Sequence, residues 1–287
     1  MTRLLDEEAL RAHAPPAPPT DGDKEDRGAV LVAGGVGGDA GAALLAGEAA
    51  LRAGAGKLQL RGDRASAAVL AATLPEARVI IAPSRSDPRG LRDAARRSAA
   101  LVLGPGLASG AESRRWARRL LEAAPEASAV IDAGALPDLS HAGVFAGLAA
   151  GRAVLTPHAG EMASLMDMTK DAVQDAPLEA ARDAATRFQA VVVLKGASTF
   201  IVTPDGAAWR HDGGAAGLGT SGSGDVLAGM IGGLLARGAA PLAAALWGVA
   251  VHARAGQTLS EATPLGFSAT DLLPRLPLEL AALGGSG

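Results

Sequence analysis

The chain contains no cysteine and no tyrosine. The first absence excludes disulfides, thiolate nucleophiles and cysteine-based zinc sites, and it fits a cytoplasmic protein. The second leaves Phe and Trp as the whole aromatic complement, 2% of the residues, too few for platforms on which nucleobases stack. A surplus of positive charge is also missing. Lys and Arg number 27 against 30 Asp and Glu, for a net charge of −3. No basic field therefore points to nucleic acid, although a few backbone N–H groups are enough to hold a small anion. Long apolar runs are lacking too. The nearest, "APLAAALWGVAVHARAG", carries His252 and Arg254 and reads as a buried or half-buried helix, not as a membrane span. The N-terminus holds acids and prolines and lacks the apolar centre of a signal peptide.

What is present is a long, mostly small and aliphatic sequence. Its 287 residues, 48% of them hydrophobic, are enough for one large domain. Residues 1–27 read as an N-terminal extension, a short helix (Asp6–Ala12) followed by the Pro-rich "APPAPPTDG". Residues 28–280 read as a single domain and 281–287 as a flexible tail. Within the domain, seven short runs are strand candidates: Ala29–Gly34, Lys57–Arg61, Arg78–Ala82, Ala100–Gly104, Ala129–Ala133, Ala153–Thr156 and Val191–Lys195. Their near-continuous aliphatic content suits strands buried on both faces. Ala/Leu segments such as Gly41–Ala53, Ala111–Ala123 and Leu178–Phe188 alternate with them as helices. The alternation predicts an α/β fold: a mainly parallel sheet with helices on both faces, three layers in all. "TFIVTPDGAAWRHDGG" breaks the pattern, since "PDG" between two short strands signals an antiparallel hairpin, placed late and at the sheet edge. Two long helices, Asp225–Arg237 and Pro241–Leu259, and a last capped short one, Ser268–Leu273, complete the chain.

In such sheets ligands bind beyond the carboxyl ends of the strands, where loops enter helix N-termini. Several short motifs fall there. The glycines of "VAGGVGGDAGA" either make a tight strand–helix turn or bring backbone close to a ligand; the spacing is neither that of a dinucleotide loop nor that of a Walker A loop. Gly104, Pro105 and Gly106 form a turn or an anion-receptive nest. Asp132 ends a strand, where it caps the next helix or holds a hydroxyl or metal. In "LTPHAGE", His158 suits contact with a polar substrate, and Glu161 in the first helical turn suits capping. Lys195 ends a buried strand, where an unpaired ammonium is costly, so a phosphate or an acidic neighbour is required.

The strongest signal is "GTSGSGDVLAG". Gly222, Ser223 and Gly224 precede an apolar helix and offer their N–H groups to an anion. Asp225 follows at once. An acid beside an anion-binding turn repels the anion unless it acts on it or on an attacking hydroxyl, which is the pairing that phosphoryl transfer needs.

This segment resembles the anion-hole and base motif of the ribokinase-like superfamily. "VLVAGG…AGAALLAGEAALRAGAGKLQL", "LGPGL", "VIDAGAL", "LTPHAGE", "VVLKGAST" and "TSGSGDVLAG", in that order from about Lys24 to Leu273, resemble the ADP-dependent NAD(P)H-hydrate dehydratases. The resemblance implies dehydration of (S)-hydrated NADH or NADPH, with ADP (ATP in the eukaryotic branch) consumed and AMP and phosphate released. It implies Asp225 as the base and the N–H groups of Gly222, Ser223 and Gly224 as the anion hole. Lys195, Gly196, Ala197, Ser198, Thr199 and Gly224 would contact the adenine nucleotide. Ala40, Gly41, Ala42, Gly106, His158 and Asp225 would line the substrate site. Mg²⁺ is expected on the nucleotide phosphates, not in an all-protein cage. A homo-oligomer, a tetramer in particular, and a stand-alone enzyme without an epimerase domain are also implied. Two departures stand out. Ala159 replaces the proline of the family's "TPHPGE". "HDGGA", residues 211–215, replaces its "N-x-T-G-N", which puts nucleotide or metal contacts from that loop in doubt. An alcohol kinase of the same superfamily and a nucleotide-binding inactive relative are the alternatives.

Overall fold

Neighbouring residues in the strand runs face opposite sides, and both sides are apolar. Val30 and Val32 join one buried cluster while Leu31 and Ala33 join another. Leu101 and Val102, and Val130 and Ile131, divide the same way. A strand buried on both faces needs a helix layer over each, and that requirement sets the architecture.

The computed structural model describes residues 2–17, 23–24, 26–82, 89–136 and 150–284. Its strands are β1 (Thr2–Leu4), β2 (Ala29–Ala33), β3 (Lys57–Gly62), β4 (Ala77–Ile81) and β5 (Ala100–Leu103). They continue with β6 (Ser128–Ile131), β7 (Ala153–Leu155), β8 (Val191–Leu194), β9 (Ser198–Val202) and β10 (Ala208–Asp212). All ten join one sheet in the order β1-β10-β9-β8-β7-β6-β5-β2-β3-β4. Pairing is parallel except at β8/β9 and β9/β10.

One face is covered by α1 (Glu7–Ala12), α2 (Ala40–Arg52), α3 (Ala67–Thr73), and, from the C-terminal third, α9 (Ser223–Ala236), α10 (Pro241–Ala262), α11 (Ala269–Leu272) and α12 (Leu276–Gly284). The other face is covered by α4 (Arg89–Arg96), α5 (Ala111–Ala123), α6 (Ala159–Met166), α7 (Lys170–Asp175) and α8 (Pro177–Phe188). The three-layer α/β fold expected from the sequence is thus the one observed. Among the described residues no helix is long and apolar enough to cross a membrane.

Three expectations need correction. The late hairpin is present as β9 and β10, but it is not outermost: Thr2, Arg3 and Leu4 pair in parallel with Ala208, Trp209 and Arg210. Residues 1–27 are therefore not a mere extension. The following helix is anchored as well, because the Trp247 indole donates to the carbonyl of Leu10 at 3.1 Å and Leu10 is buried. The capped helix at Ser268 is real, but α12 follows it and runs to Gly284, through most of the expected tail; residues 285–287 lie outside the described residues.

The glycines of α9 have a packing role. A Cβ at Gly229 would lie 2.1 Å from the carbonyl oxygen of Ala46, and one at Gly233 would lie 2.4 Å from that of Ala50. Gly232 faces Val102 of the sheet, where a Cβ would come within 2.3 Å. Bare backbone at these positions lets α9 lie directly on α2 and on the strands. The apolar helix is thereby seated in the centre of its layer, with its N-terminus at the carboxyl ends of the parallel strands.

Candidate active site

The strand ends around that N-terminus carry most of the polar residues singled out above. Asp132 follows β6, Thr156 and His158 follow β7, and Lys195 follows β8. Asp132 is 2% exposed, so its carboxylate must be partnered. It accepts from Thr156 Oγ1 at 2.7 Å and from Lys195 Nζ at 3.0 Å. It makes no side-chain cap on the turn after it, which removes the capping alternative. Lys195 Nζ also lies 3.9 Å from Glu161. Burial by itself would pull the Lys195 ammonium down, but Asp132, Glu161 and Asp225 together hold it above its ordinary value. The acidic neighbour that the buried lysine required is therefore Asp132.

His158 is the N-cap of α6. Its Nδ1 accepts from the N–H groups of Gly160 at 3.0 Å and Glu161 at 3.2 Å. Glu161 accepts from the His158 N–H at 2.8 Å, closing a capping box. With Nδ1 used as an acceptor, the neutral ring carries its proton on Nε2. The ring itself stays exposed and forms part of the walls of two adjoining cavities.

The first cavity, of about 600 Å³, lies between the β8/β9 turn, the loop before α9 and the wall of α10. Lys195, Gly196, Ala197, Thr199 and Gly224, named above as candidate nucleotide contacts, line it. Ser198 does not: its hydroxyl is given to Asp212 at 2.7 Å, across the β9/β10 pair. From the altered "HDGGA" segment, His211, Gly214 and Ala215 contribute. The second cleft, also about 600 Å³, is more open and is lined by Leu107, Ala108, Gly134, Glu161 and Ser164 among others. Of the remaining predicted substrate residues, Ala42 and Gly106 are brought together: a Cβ at Gly106 would lie 2.9 Å from the Ala42 methyl. Gly106, with φ of +69°, adjoins Leu107 on the cleft wall. Gly41 is exposed nearby. Ala40 is buried in the core, so only its backbone is open to a ligand role.

Asp225 stands in the first turn of α9, next to Gly224 on the wall of the first cavity and within electrostatic reach of Lys195 and Asp132. Burial is the main cause that pushes its carboxyl up to about 6; the charges of Asp132 and Glu161 add to it and Lys195 opposes. Gly222, in the left-handed region at φ of +88°, is the N-cap and has no side chain to satisfy the helix. The Ser223 N–H is given to Thr220 O at 3.4 Å. Those of Gly222, Gly224 and Asp225 have no protein acceptor among the described residues. Of the three N–H groups expected to receive an anion, that of Ser223 is thus engaged within the turn, while that of Asp225 is also without a protein acceptor among the described residues. A Cβ at Gly224 would lie 3.2 Å from Lys195 Nζ, so glycine is what lets the ammonium approach this turn. Sequence reasoning gave Thr156 no partner; its position one strand over from Asp132 was the available signal.

Among the described residues no three acidic or histidine side chains converge as a metal cage. Asp132 is committed to Thr156 and Lys195, and Glu161 to the cap of α6.

A three-layer fold that directs a glycine-rich helix N-terminus and a lysine at one cavity, with an acid in the first turn of that helix, defines the ribokinase-like class. A ribokinase-like superfamily protein from Enterococcus faecalis superposes with a TM-score of 0.86 at 26% identity, over 98% of this chain and 96% of that one. A family profile described as NAD(P)H-hydrate dehydratase matches residues 30–278, and the chain belongs to that family. It is 47% identical to the ADP-dependent (S)-NAD(P)H-hydrate dehydratase of Xanthomonas campestris pv. campestris, over 96% of this chain and 95% of that one. The ADP/ATP-dependent NAD(P)H-hydrate dehydratase of Bacillus subtilis, co-crystallised with ATP and Mg²⁺, superposes with a TM-score of 0.86 at 29% identity, covering 98% and 99% of the two chains.

Proposed function

We propose that this protein dehydrates the S epimer of hydrated NADH or NADPH, using ADP as the phosphoryl donor and releasing AMP and phosphate. The observation that carries the reading is the turn at Gly222–Asp225. Among the described residues three N–H groups there have no protein acceptor, and they adjoin a carboxyl raised to about 6 beside Gly224 on the wall of the first cavity. The similarity to the Xanthomonas enzyme supports ADP as donor; ATP fits the same pocket chemistry.

Asp225 takes the proton from the ring hydroxyl of the hydrate. The freed oxygen attacks the terminal phosphorus of ADP, and the bond from that phosphorus to the oxygen retained by AMP breaks. N–H groups of Gly222, Gly224 and Asp225 stabilise charge on the moving phosphoryl group. Lys195 adds a cation whose own charge is already balanced by Asp132. The ring nitrogen then expels the phosphate from carbon, and loss of the neighbouring C–H proton restores the dihydropyridine. The hydroxyl oxygen of the hydrate thus leaves in phosphate. Mg²⁺, held by the nucleotide phosphates, would neutralise part of their charge. His158, on the wall of both cavities, and Gly106 and Ala42 would contact the hydrated cofactor. Residues 28–280 would act as one domain, a reading supported by the family match over 30–278.

The test is recovery of reduced-nicotinamide absorbance from hydrated NADH or NADPH on addition of ADP or ATP. Recovery, with AMP formed from ADP in equal amount, is expected. No recovery with either nucleotide would overturn the reading, and nucleotide turnover only on an added alcohol would identify a kinase instead.

A further inference from the structure

Ser223 gives its N–H to Thr220, yet it is 4% exposed and lines the nucleotide cavity. Its side chain must therefore be explained separately. Ser223 Oγ lies 3.0 Å from Nε2 of His252, a buried residue on α10. The same Nε2 lies 3.0 Å from the carbonyl oxygen of Ser223. A carbonyl only accepts. A bare ring nitrogen at that distance would set lone pair against lone pair. Nε2 therefore carries the proton and shares it, as a three-centre bond, between the carbonyl and Oγ. Burial pulls His252 down to about 4, so the ring is neutral at physiological pH and holds a single N–H. Oγ then receives a hydrogen from His252 and has no ring lone pair to give its own to. Among the described residues Ser223 Oγ makes no other hydrogen bond.

We infer that the Ser223 hydroxyl, turned outward by the Nε2–H of His252, is an additional donor to the transferring phosphoryl group. His252 is its positioning residue. The inference rests on the phosphoryl-transfer reading of the site. It gives the turn a side-chain donor at the one position whose N–H is used internally. It also accounts for a buried histidine that otherwise does nothing in the reaction. Loss of one preorganised donor of this kind lowers turnover by about 100- to 1000-fold in acyl-transfer enzymes.

The experiment is a double-mutant cycle on the full chain, read in kcat and in the KM for ADP, with a melting curve for each variant. Ser223→Ala is expected to lower kcat by about 100-fold with little change in KM. His252→Leu should lower kcat to a similar degree. The double variant should be no slower than Ser223→Ala alone, because the histidine acts through the serine. His252→Gln, whose amide can donate to the same carbonyl, should recover most of the loss. An independent reading comes from imidazole ¹⁵N spectra of the unaltered protein. His252 should show a protonated Nε2 and a bare Nδ1 between about pH 5.5 and 8.5. A proton on Nδ1, or Ser223→Ala with unchanged kcat in an active enzyme, would overturn the inference while leaving the dehydratase reading intact. An unaltered protein that turns over no hydrated cofactor would remove the functional reading; the ring tautomer can still be measured.

Discussion

Lys195 Nζ and Asp132 Oδ1 lie 3.0 Å apart, across the end of the strand that separates their own two. The pair does two things. It allows a lysine to end a buried strand, and it places a negative charge where it raises the Asp225 carboxyl. Asp132→Asn keeps the size of the side chain and removes the charge. Breaking such a pair is expected to cost about 2–4 kcal/mol, since the ammonium keeps only partial access to solvent. It should also move the acid limb of kcat/KM below pH 6, because the Asp225 carboxyl loses a repelling neighbour. Urea denaturation and a pH–rate profile test both; an unmoved acid limb would contradict the coupling.

Asp225→Asn separates catalysis from stability. The proposed base is lost, so turnover should fall by at least about 100-fold. Stability should change in the other direction. The native carboxyl titrates near 6 and the unfolded one near 3.8, so the folded state binds more protons between those values. Stability therefore declines as pH rises from 4 through 6, and the full penalty is present above 6. Allowing for partial solvent screening, the Asn variant should gain about 1–2 kcal/mol at pH 7.5 and nothing below about pH 4. Melting curves at the two pH values measure the difference.

The α2–α9 seam predicts an unusual outcome for Gly229→Ala. Alanine is the better helix former by about 1 kcal/mol. Here its methyl would meet the Ala46 carbonyl at 2.1 Å. Net destabilisation of about 2–4 kcal/mol is expected. Because α9 carries the glycine-rich turn at its N-terminus, about two helical turns from Gly229, kcat should fall as well. A stabilised variant would show that the helices have room to part.

His158 both caps α6 and faces two cavities. Asparagine is an equally good N-cap, whereas alanine is not. His158→Ala should cost about 1 kcal/mol and raise the KM for hydrated cofactor; His158→Asn should raise the KM with stability kept. Equal kinetic parameters for the Asn variant and the unaltered enzyme would rule out substrate contact by the ring.

Leu10→Ala is the contrasting case. Its side chain is buried and its carbonyl is held by Trp247, neither residue lines the site cavities, and truncation should cost about 2–4 kcal/mol. At a temperature where the variant is folded, kcat should be unchanged. A large fall in kcat would mean that the N-terminal segment reaches the site.

The layered fold was legible because aliphatic runs with no polar face admit few alternatives. The candidate site was legible where chemistry forces a short motif, as at Gly222–Asp225 and at Lys195. What was not legible depends on distant partners. For Asp132 a cap and a hydroxyl or metal contact both stayed open, because its donors, Thr156 and Lys195, are 24 and 63 residues away. The resemblance implied Ser198 as a nucleotide contact along with its neighbours, and nothing local to the sequence shows that strand pairing gives its hydroxyl to Asp212. β1 went unseen because three residues, two of them polar, carry no periodic signal; only the open edge of β10 calls for them.

That edge pairing also orders events in time. Of the ten strands β1 is synthesised first, but Thr2 pairs with Ala208. At ordinary elongation rates of about 5–20 residues per second, its partner emerges roughly 10–40 s later. The sheet can therefore be assembled from β2 onward while its earliest-made strand still waits. Docking of Thr2–Leu4 and Leu10 onto β10 and Trp247 becomes a closing step in folding, and the latest-made helices form the surface on which the oldest segment comes to rest.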